Sequence, residues 1–287
     1  MIVITAASSQ LGRLVIQELL KTVPADQLVA AVRNPEKVAD FANLGVQVRQ
    51  VDYTQPSTLA TALAGAEKVL FISSSEVGSR VSQHTNVIAA AKEAGVRLVA
   101  YTSILHAASS PLGLAEEHKQ TELLLKESGV PYVLLRNGWY TENYTASIPM
   151  ALQYGVMMGC AGDGKIASAT RADFAAGAAA VLLADNPAGK VYELAGDEAY
   201  TLSEFAAELS RQSGQRVRYQ NMTEAAYAEV LQNAGVPAPF AMMLAQSETG
   251  ISQGGLFDGS KTLGNLIRRP TTSLGASIRM ALDHATS

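Results

Sequence analysis

The chain has 287 residues, 48% of them hydrophobic, enough for one large α/β domain with an appended lobe or for two modest domains. With 22 Lys and Arg against 26 Asp and Glu, the net charge is -4 and there is no long like-charge run, which argues against a nucleic-acid surface built on clustered cations. A single cysteine, Cys160, excludes an internal disulfide and a cysteine metal cluster, so no metal is expected and Cys160 reads as a small buried apolar residue.

In chain order, Met1-Ile2-Val3-Ile4 opens an apolar strand over 1–5, and Gln10 to Lys21 has helical spacing with apolar residues at 11, 14, 15, 16, 19 and 20. The polar turn between them, Thr5-Ala6-Ala7-Ser8-Ser9-Gln10-Leu11-Gly12, stands where a glycine-rich dinucleotide loop belongs. The free N-H groups and positive dipole end of a helix starting there suit a pyrophosphate. The usual pattern has glycine at positions 6, 9 and 12; here Ala6 and Ser9 replace the first two, and Gly12 alone remains. Ala6 is tolerable at negative φ and costly at positive φ. The Ser9 hydroxyl either bonds a phosphate oxygen or obstructs it, and a turn that only connects strand to helix is the alternative.

The second strand, 28–32, runs into Arg33-Asn34-Pro35. An acidic residue at that place would bond the ribose 2′-hydroxyl of NAD, whereas a guanidinium attracts a 2′-phosphate, so the cofactor expected is NADPH. A solvated loop cation is the plain alternative for Arg33. Further strands at 47–51, 68–73, 97–102 and 132–136 alternate with helices at Glu36 to Leu44, Thr58 to Leu63, Val81 to Ala94 and Leu114 to Glu127. This alternation predicts an α/β fold with a doubly wound parallel sheet of Rossmann type, order 3-2-1-4-5-6, with ligands at the carboxyl ends of the strands.

The helix from Leu114 lacks a Tyr-x-x-x-Lys pair, since placing His118 at the lysine position puts Leu114 where tyrosine would be. Carbonyl reduction through a tyrosine acid is therefore disfavoured. His118 reads either as a ribose or backbone partner or as a helix-surface residue, and His106 as a proton donor by type only. After the sixth strand, Asn137-Gly138-Trp139-Tyr140-Thr141-Glu142 mixes amides with broad aromatic faces, suited to a flat ring beside a nicotinamide. Packing is expected of Trp139 and a pocket position of Tyr140, with Tyr140 and Asn137 as orienting residues.

Beyond residue 137 the alternation breaks. An alanine-rich helix from Arg171 to Ala184 is expected to pack back on the main sheet, and strands at 191–194 and 216–220 with helices near 202–213, 223–234 and 273–284 predict a smaller C-terminal α/β lobe. The expected division is 1–137 with 166–189 as a dinucleotide-binding domain, and 138–165 with 190–287 as a substrate-binding lobe. The chain opens on a strand without a signal-like segment and has no apolar run of bilayer length, so a cytoplasmic protein with no membrane partner is expected.

The segments Ser73-Ser74-Ser75-Glu76-Val77-Gly78, Tyr101-Thr102-Ser103, Ser110-Pro111-Leu112-Gly113-Leu114-Ala115, Leu135-Arg136-Asn137-Gly138-Trp139-Tyr140 and Gly162-Asp163-Gly164-Lys165 closely resemble the bacterial NADPH:quinone oxidoreductases of the atypical short-chain dehydrogenase, NmrA-like class. Triphenylmethane reductases look like more distant relatives. The likeness runs on through Gly254-Gly255-Leu256-Phe257-Asp258 to Pro270-Thr271-Thr272. It implies a cleft between two lobes where NADPH delivers hydride to a quinone-like small molecule. By position, it implies cofactor contacts from Ala6, Ala7, Ser8, Ser9, Gln10, Leu11, Arg33, Ser73, Ser74, Ser75, Asn137, Gly138, Trp139, Tyr140, Thr141, Glu142 and Arg171. NmrA-like relatives also include redox sensors that bind dinucleotide with weak or no catalysis, and that alternative stays open here, as does a homo-oligomer.

Overall fold

The structure, a computed structural model, describes residues 1–285. In chain order its elements are β1 (Ile2–Ile4), α1 (Gln10–Leu19), β2 (Leu28–Val32), α2 (Ala39–Asn43), β3 (Gln47–Gln50), α3 (Pro56–Leu63), β4 (Lys68–Phe71), α4 (Arg80–Glu93), β5 (Leu98–Ile104), α5 (Ala115–Ser128) and β6 (Tyr132–Asn137). There follow α6 (Glu142–Thr145), α7 (Ile148–Tyr154), β7 (Val156–Gly159), α8 (Arg171–Leu183), β8 (Val191–Leu194), α9 (Leu202–Ser213), β9 (Arg218–Asn221), α10 (Glu224–Asn233), α11 (Ala238–Ser252), α12 (Thr262–Ile267) and α13 (Leu274–Ala285). Among the described residues no helix is long and apolar enough to cross a membrane.

Seven strands form one sheet in the order β3-β2-β1-β4-β5-β6-β8. The pairs from β3 through β6 are parallel, with Ile2 of β1 opposite Leu28 on one side and Lys68 on the other. The order expected for the first six strands is the one observed. The run at 191–194, expected in the C-terminal lobe, instead adds a seventh strand beside β6. The approach is closed by Gly189 N-H on Tyr132 O (2.7 Å) and Leu134 N-H on Lys190 O (3.0 Å). An open sheet edge with unpaired N-H and C=O groups favours such a strand.

Every residue of β1, β2 and β5 is buried, as expected of central parallel strands covered on both faces. On one face Val3, Val29, Val69 and Val99 pack with Leu59 and Leu63 of α3, Val87 and Ile88 of α4 and Leu125 of α5. Each such aliphatic side chain contributes about 1.5–3 kcal/mol on burial. The alanine-rich α8 packs on α1 and touches β4 and β5, as its small-residue surface anticipates. The expected helix from Glu36 splits: Asn34 accepts the Glu36 N-H at 3.0 Å, Pro35 opens a 3-10 turn over Pro35–Val38, and α2 follows.

The chain divides into two units: Met1–Ala107, Glu116–Asn137 and Arg171–Tyr192 in the first, and Ala108–Ala115, Gly138–Thr170 and the chain from Glu193 in the second. These bounds differ from the expected ones at 108–115, 166–170 and 190–192. The second unit holds a two-stranded parallel sheet of β7 and β9, with Val156 opposite Arg218. It also contains α11, which the sequence reading misses because Gly235, Pro237 and Pro239 look like punctuation; proline in a first helical turn is compatible with a helix.

From α11, Glu248 accepts the Cys160 N-H at 2.8 Å, and burial pushes its carboxyl up to about 7. The Cys160 thiol bonds Ala245 O at 3.2 Å, and burial raises it to about 11, so it is no nucleophile at neutral pH.

Candidate dinucleotide-binding site

The turn after β1 is built by three backbone bonds: Thr5 N-H on Leu70 O (3.0 Å), Ala7 N-H on Ala31 O (3.2 Å) and Ser9 N-H on Ala6 O (2.9 Å). Closing it requires Ala6 to stand at φ 47, the left-handed region where a Cβ is strained. Of the two conditions set for Ala6, the costly one holds. Ala6→Gly is therefore expected to raise unfolding free energy by about 1 kcal/mol, read by urea denaturation. A fall in stability would mean that the positive φ carries no strain.

Ser9 does not face the alternatives expected of it alone. Its Oγ accepts the Gly12 N-H at 3.1 Å, making Ser9 the N-cap of α1. The amides of Gln10 and Leu11 in that first turn lack partners within the helix, so the anion-binding end of α1 is kept. Gly12 carries the close packing: a Cβ there would lie 2.6 Å from Ala6 O and 2.8 Å from Ala7 Cα. Ala7 and Leu11 are buried and bring only backbone to the turn, while Gln10 is exposed.

A cleft of about 250 Å³ in the first unit joins this turn to the ends of the neighbouring strands. It is lined by Ala6, Ser8 and Ser9, by Arg33 after β2, and by Ser73, Ser74 and Ser75 after β4, all expected at the cofactor. Asp52 and Tyr53 after β3, with Glu76 and Gln83, also line it and were not foreseen. The rule that ligands sit beyond the carboxyl ends of parallel strands was signal enough to find Asp52. Hydrogen bonds from the Thr54 backbone and side chain, with the nearby Arg33 charge, hold the Asp52 carboxyl below its usual range.

The serine loop is anchored from below. Ser73 N-H donates to Thr102 Oγ1 and Ser74 N-H donates to His84 Nε2, both at 2.9 Å. Since Nε2 accepts, the neutral His84 ring carries its proton on Nδ1, 2.9 Å from Thr121 Oγ1. Burial, with the Arg80 charge, pushes His84 down to about 3, so it stays neutral as this role requires. On the far side Arg80 Nε donates to Ser74 O at 2.8 Å, and Gly78 N-H donates to Glu117 Oε1 at 3.0 Å.

His118 does not lie on the helix surface: it is buried, with Nδ1 2.7 Å from the Tyr101 hydroxyl, and burial depresses its basicity further. The inward face of α5 rests on β5, and a histidine can satisfy one polar atom inside such a core.

The remaining expected residues are not among those that line this cleft. Asn137 ends β6, buried, with its Oδ1 lacking a hydrogen-bond partner. Arg171 opens α8. In the second unit, Gly138 N-H bonds Leu194 O (2.7 Å), Thr141 N-H bonds Ala169 O (2.9 Å), and the Thr141 hydroxyl meets Ser168 Oγ (2.8 Å). Trp139 and Tyr140 are half-buried, Tyr140 forms a β-bridge with Ala169, and Glu142 opens α6.

A parallel sheet in this strand order, with a capped helix N-terminus beside a serine loop and an arginine at the second strand's end, defines a dinucleotide-binding protein of the Rossmann class. Residues 6–185 match the NAD(P)H-binding family, and the chain belongs to it. Within that class it is 60% identical over 278 residues to Quinone oxidoreductase 2 of Escherichia coli (strain K12), covering 97% of each chain. The crystal structure of NADPH-dependent quinone oxidoreductase QOR2 from Escherichia coli complexed with NADPH superposes with a TM-score of 0.96 at 59% identity, covering 98% of this chain and all of that one. Triphenylmethane reductase of Citrobacter sp. complexed with NADP(H) is a more distant neighbour, with a TM-score of 0.94 at 39% identity over 98% of this chain and 100% of that chain.

Proposed function

We propose that this chain is an NADPH-dependent reductase that passes hydride to quinones or similar flat electrophilic acceptors. The observation that carries the reading is the cleft of the first unit, serine-lined and ending at Arg33, in a chain alike over nearly its whole length to a quinone oxidoreductase crystallised with NADPH. NADPH, when bound, supplies the hydride. The first unit is the dinucleotide-binding domain and the second the substrate-binding lobe.

The protein's own groups bind and orient. Arg33 takes the 2′-phosphate as a charge-assisted hydrogen-bond donor. The turn from Ala6 to Leu11 and the loop Ser73 to Ser75 hold the diphosphate with amides and hydroxyls, the loop being kept in place by His84. The buried, unpartnered Oδ1 of Asn137 is an acceptor suited to an amide NH2 such as that of a nicotinamide. Tyr140 orients the acceptor ring, and the segment Gly138 to Glu142 with Arg171 completes the cofactor contacts. With His118 committed to Tyr101, helix α5 offers no proton donor in the Tyr-x-x-x-Lys manner. Quinone reduction tolerates this, since charge develops on a conjugated oxygen that solvent or a nearby hydroxyl can protonate.

Stopped-flow oxidation of NADPH by a simple benzoquinone tests the reading. Saturable oxidation well above the uncatalysed rate is expected; tight NADPH binding without turnover would overturn the reductase assignment and favour the sensor alternative.

A further inference from the structure

Arg33 is paired within the protein. Its Nη1 donates to Glu76 Oε1 at 3.0 Å, across the cleft mouth from the loop after β4. Glu76 is held in that pose from its other oxygen, which accepts from Gln83 Nε2 at 2.6 Å, and from its backbone, whose N-H donates to Ser74 Oγ at 3.1 Å. Asp52, whose carboxyl senses the same guanidinium, also lines the cleft. The one cation of this cleft lining is therefore paired with one carboxylate and shares the lining with a second.

We infer that Glu76 is a specificity-determining residue: its carboxylate occupies the guanidinium where a 2′-phosphate would bind and thereby holds down the preference for the phosphorylated dinucleotide. A 2′-phosphate carries roughly -1.5 to -2 charges near neutral pH, by analogy with other phosphomonoesters. To reach Arg33 it must displace one carboxylate and then remain beside it. A dinucleotide with a free 2′-hydroxyl meets no such repulsion. Because the Arg33 and Glu76 side chains are 70% and 47% exposed, solvent keeps the ion pair weak enough to be displaced. The effect is thus a tuning of selectivity rather than a block.

The inference rests on the dinucleotide reading of this cleft, so its test carries a separate control for that reading. Dissociation constants for NADPH and NADH are measured by calorimetry or by quenching of protein fluorescence, without substrate, for the wild type, Glu76→Gln, Arg33→Ala and the double variant. Glu76→Gln keeps an oxygen for Gln83 while removing the charge. It is expected to tighten NADPH by about two- to fivefold and to leave NADH nearly unchanged, the size expected from an exposed ion pair. The gain should shrink in the Arg33→Ala background and at high ionic strength. Arg33→Ala alone should weaken NADPH more than NADH; equal losses would sink the cleft reading itself. If Arg33→Ala acts selectively while Glu76→Gln leaves NADPH affinity unchanged or lowers it, only the role given to Glu76 falls.

Discussion

Gly12→Ala is expected to weaken NADPH binding at least about tenfold and to lower unfolding free energy by about 1–3 kcal/mol. The Cβ it adds would lie 2.6 Å from Ala6 O and 2.8 Å from Ala7 Cα, and both are backbone atoms that no rotamer change can move aside. Relief requires α1 to retreat from the turn. That movement would disturb the Gly12 to Ser9 cap and the Ser9 to Ala6 bond together, and with them the direction of the first-turn amides. Calorimetric titration and urea unfolding of the same variant check the two effects separately. Wild-type affinity in a destabilised variant would show that the turn positions the helix without touching the dinucleotide.

Glu248→Gln is expected to remove a pH dependence of stability on the order of 3 kcal/mol, about 1.4 kcal/mol for each unit by which burial raises the carboxyl. In the folded protein this group titrates near 7, against an ordinary value of 4.5 in the unfolded chain. Below the unfolded value the carboxyl is protonated in both states and its contribution is fully present. As the pH rises toward 7, the unfolded chain loses the proton while the fold retains it, and stability drains away; above 7 the loss is complete. The half-buried neighbours Tyr227 and Tyr219 and the buried Cys160 thiol stay neutral through this window, all raised by desolvation. Denaturant midpoints at pH 5 and pH 8 should differ less in Glu248→Gln than in the wild type. The same pH dependence in both proteins would refute the assignment.

Much of the first unit was legible because its signals are local. The apolar runs at β1, β2 and β5 are fully buried parallel strands, those at β4 and β6 are largely buried, and right-handed crossovers leave few ways to order them. The position of Arg33 behind β2 follows from the same periodicity. The cofactor turn was recognisable by context even with two of its glycines replaced, since strand, polar turn and helix start are adjacent in the chain.

Other features depend on partners far apart in sequence. His118 lies on α5, yet only the packing of α5 against β5 decides that the histidine turns inward to Tyr101. The pairing of Arg33 with Glu76 spans 43 residues and exists because β2 and β4 end on the same edge of the sheet, on either side of β1. In the second unit, α11 is hidden by its prolines, and the elevated carboxyl of Glu248 comes from its burial beside Cys160, 88 positions away and just after β7.

The sequence by itself determined the class of fold, the order of the first six strands and the place where a dinucleotide would lie, because hydrophobic period and turn chemistry act over a few residues. Only the tertiary structure decided that Ala6 is forced to positive φ, that Ser9 caps a helix, that the 191–194 strand joins the main sheet, and which carboxylate holds Arg33. Those outcomes are set by which surfaces are buried against each other, and burial is a property of the assembled chain rather than of any segment in it.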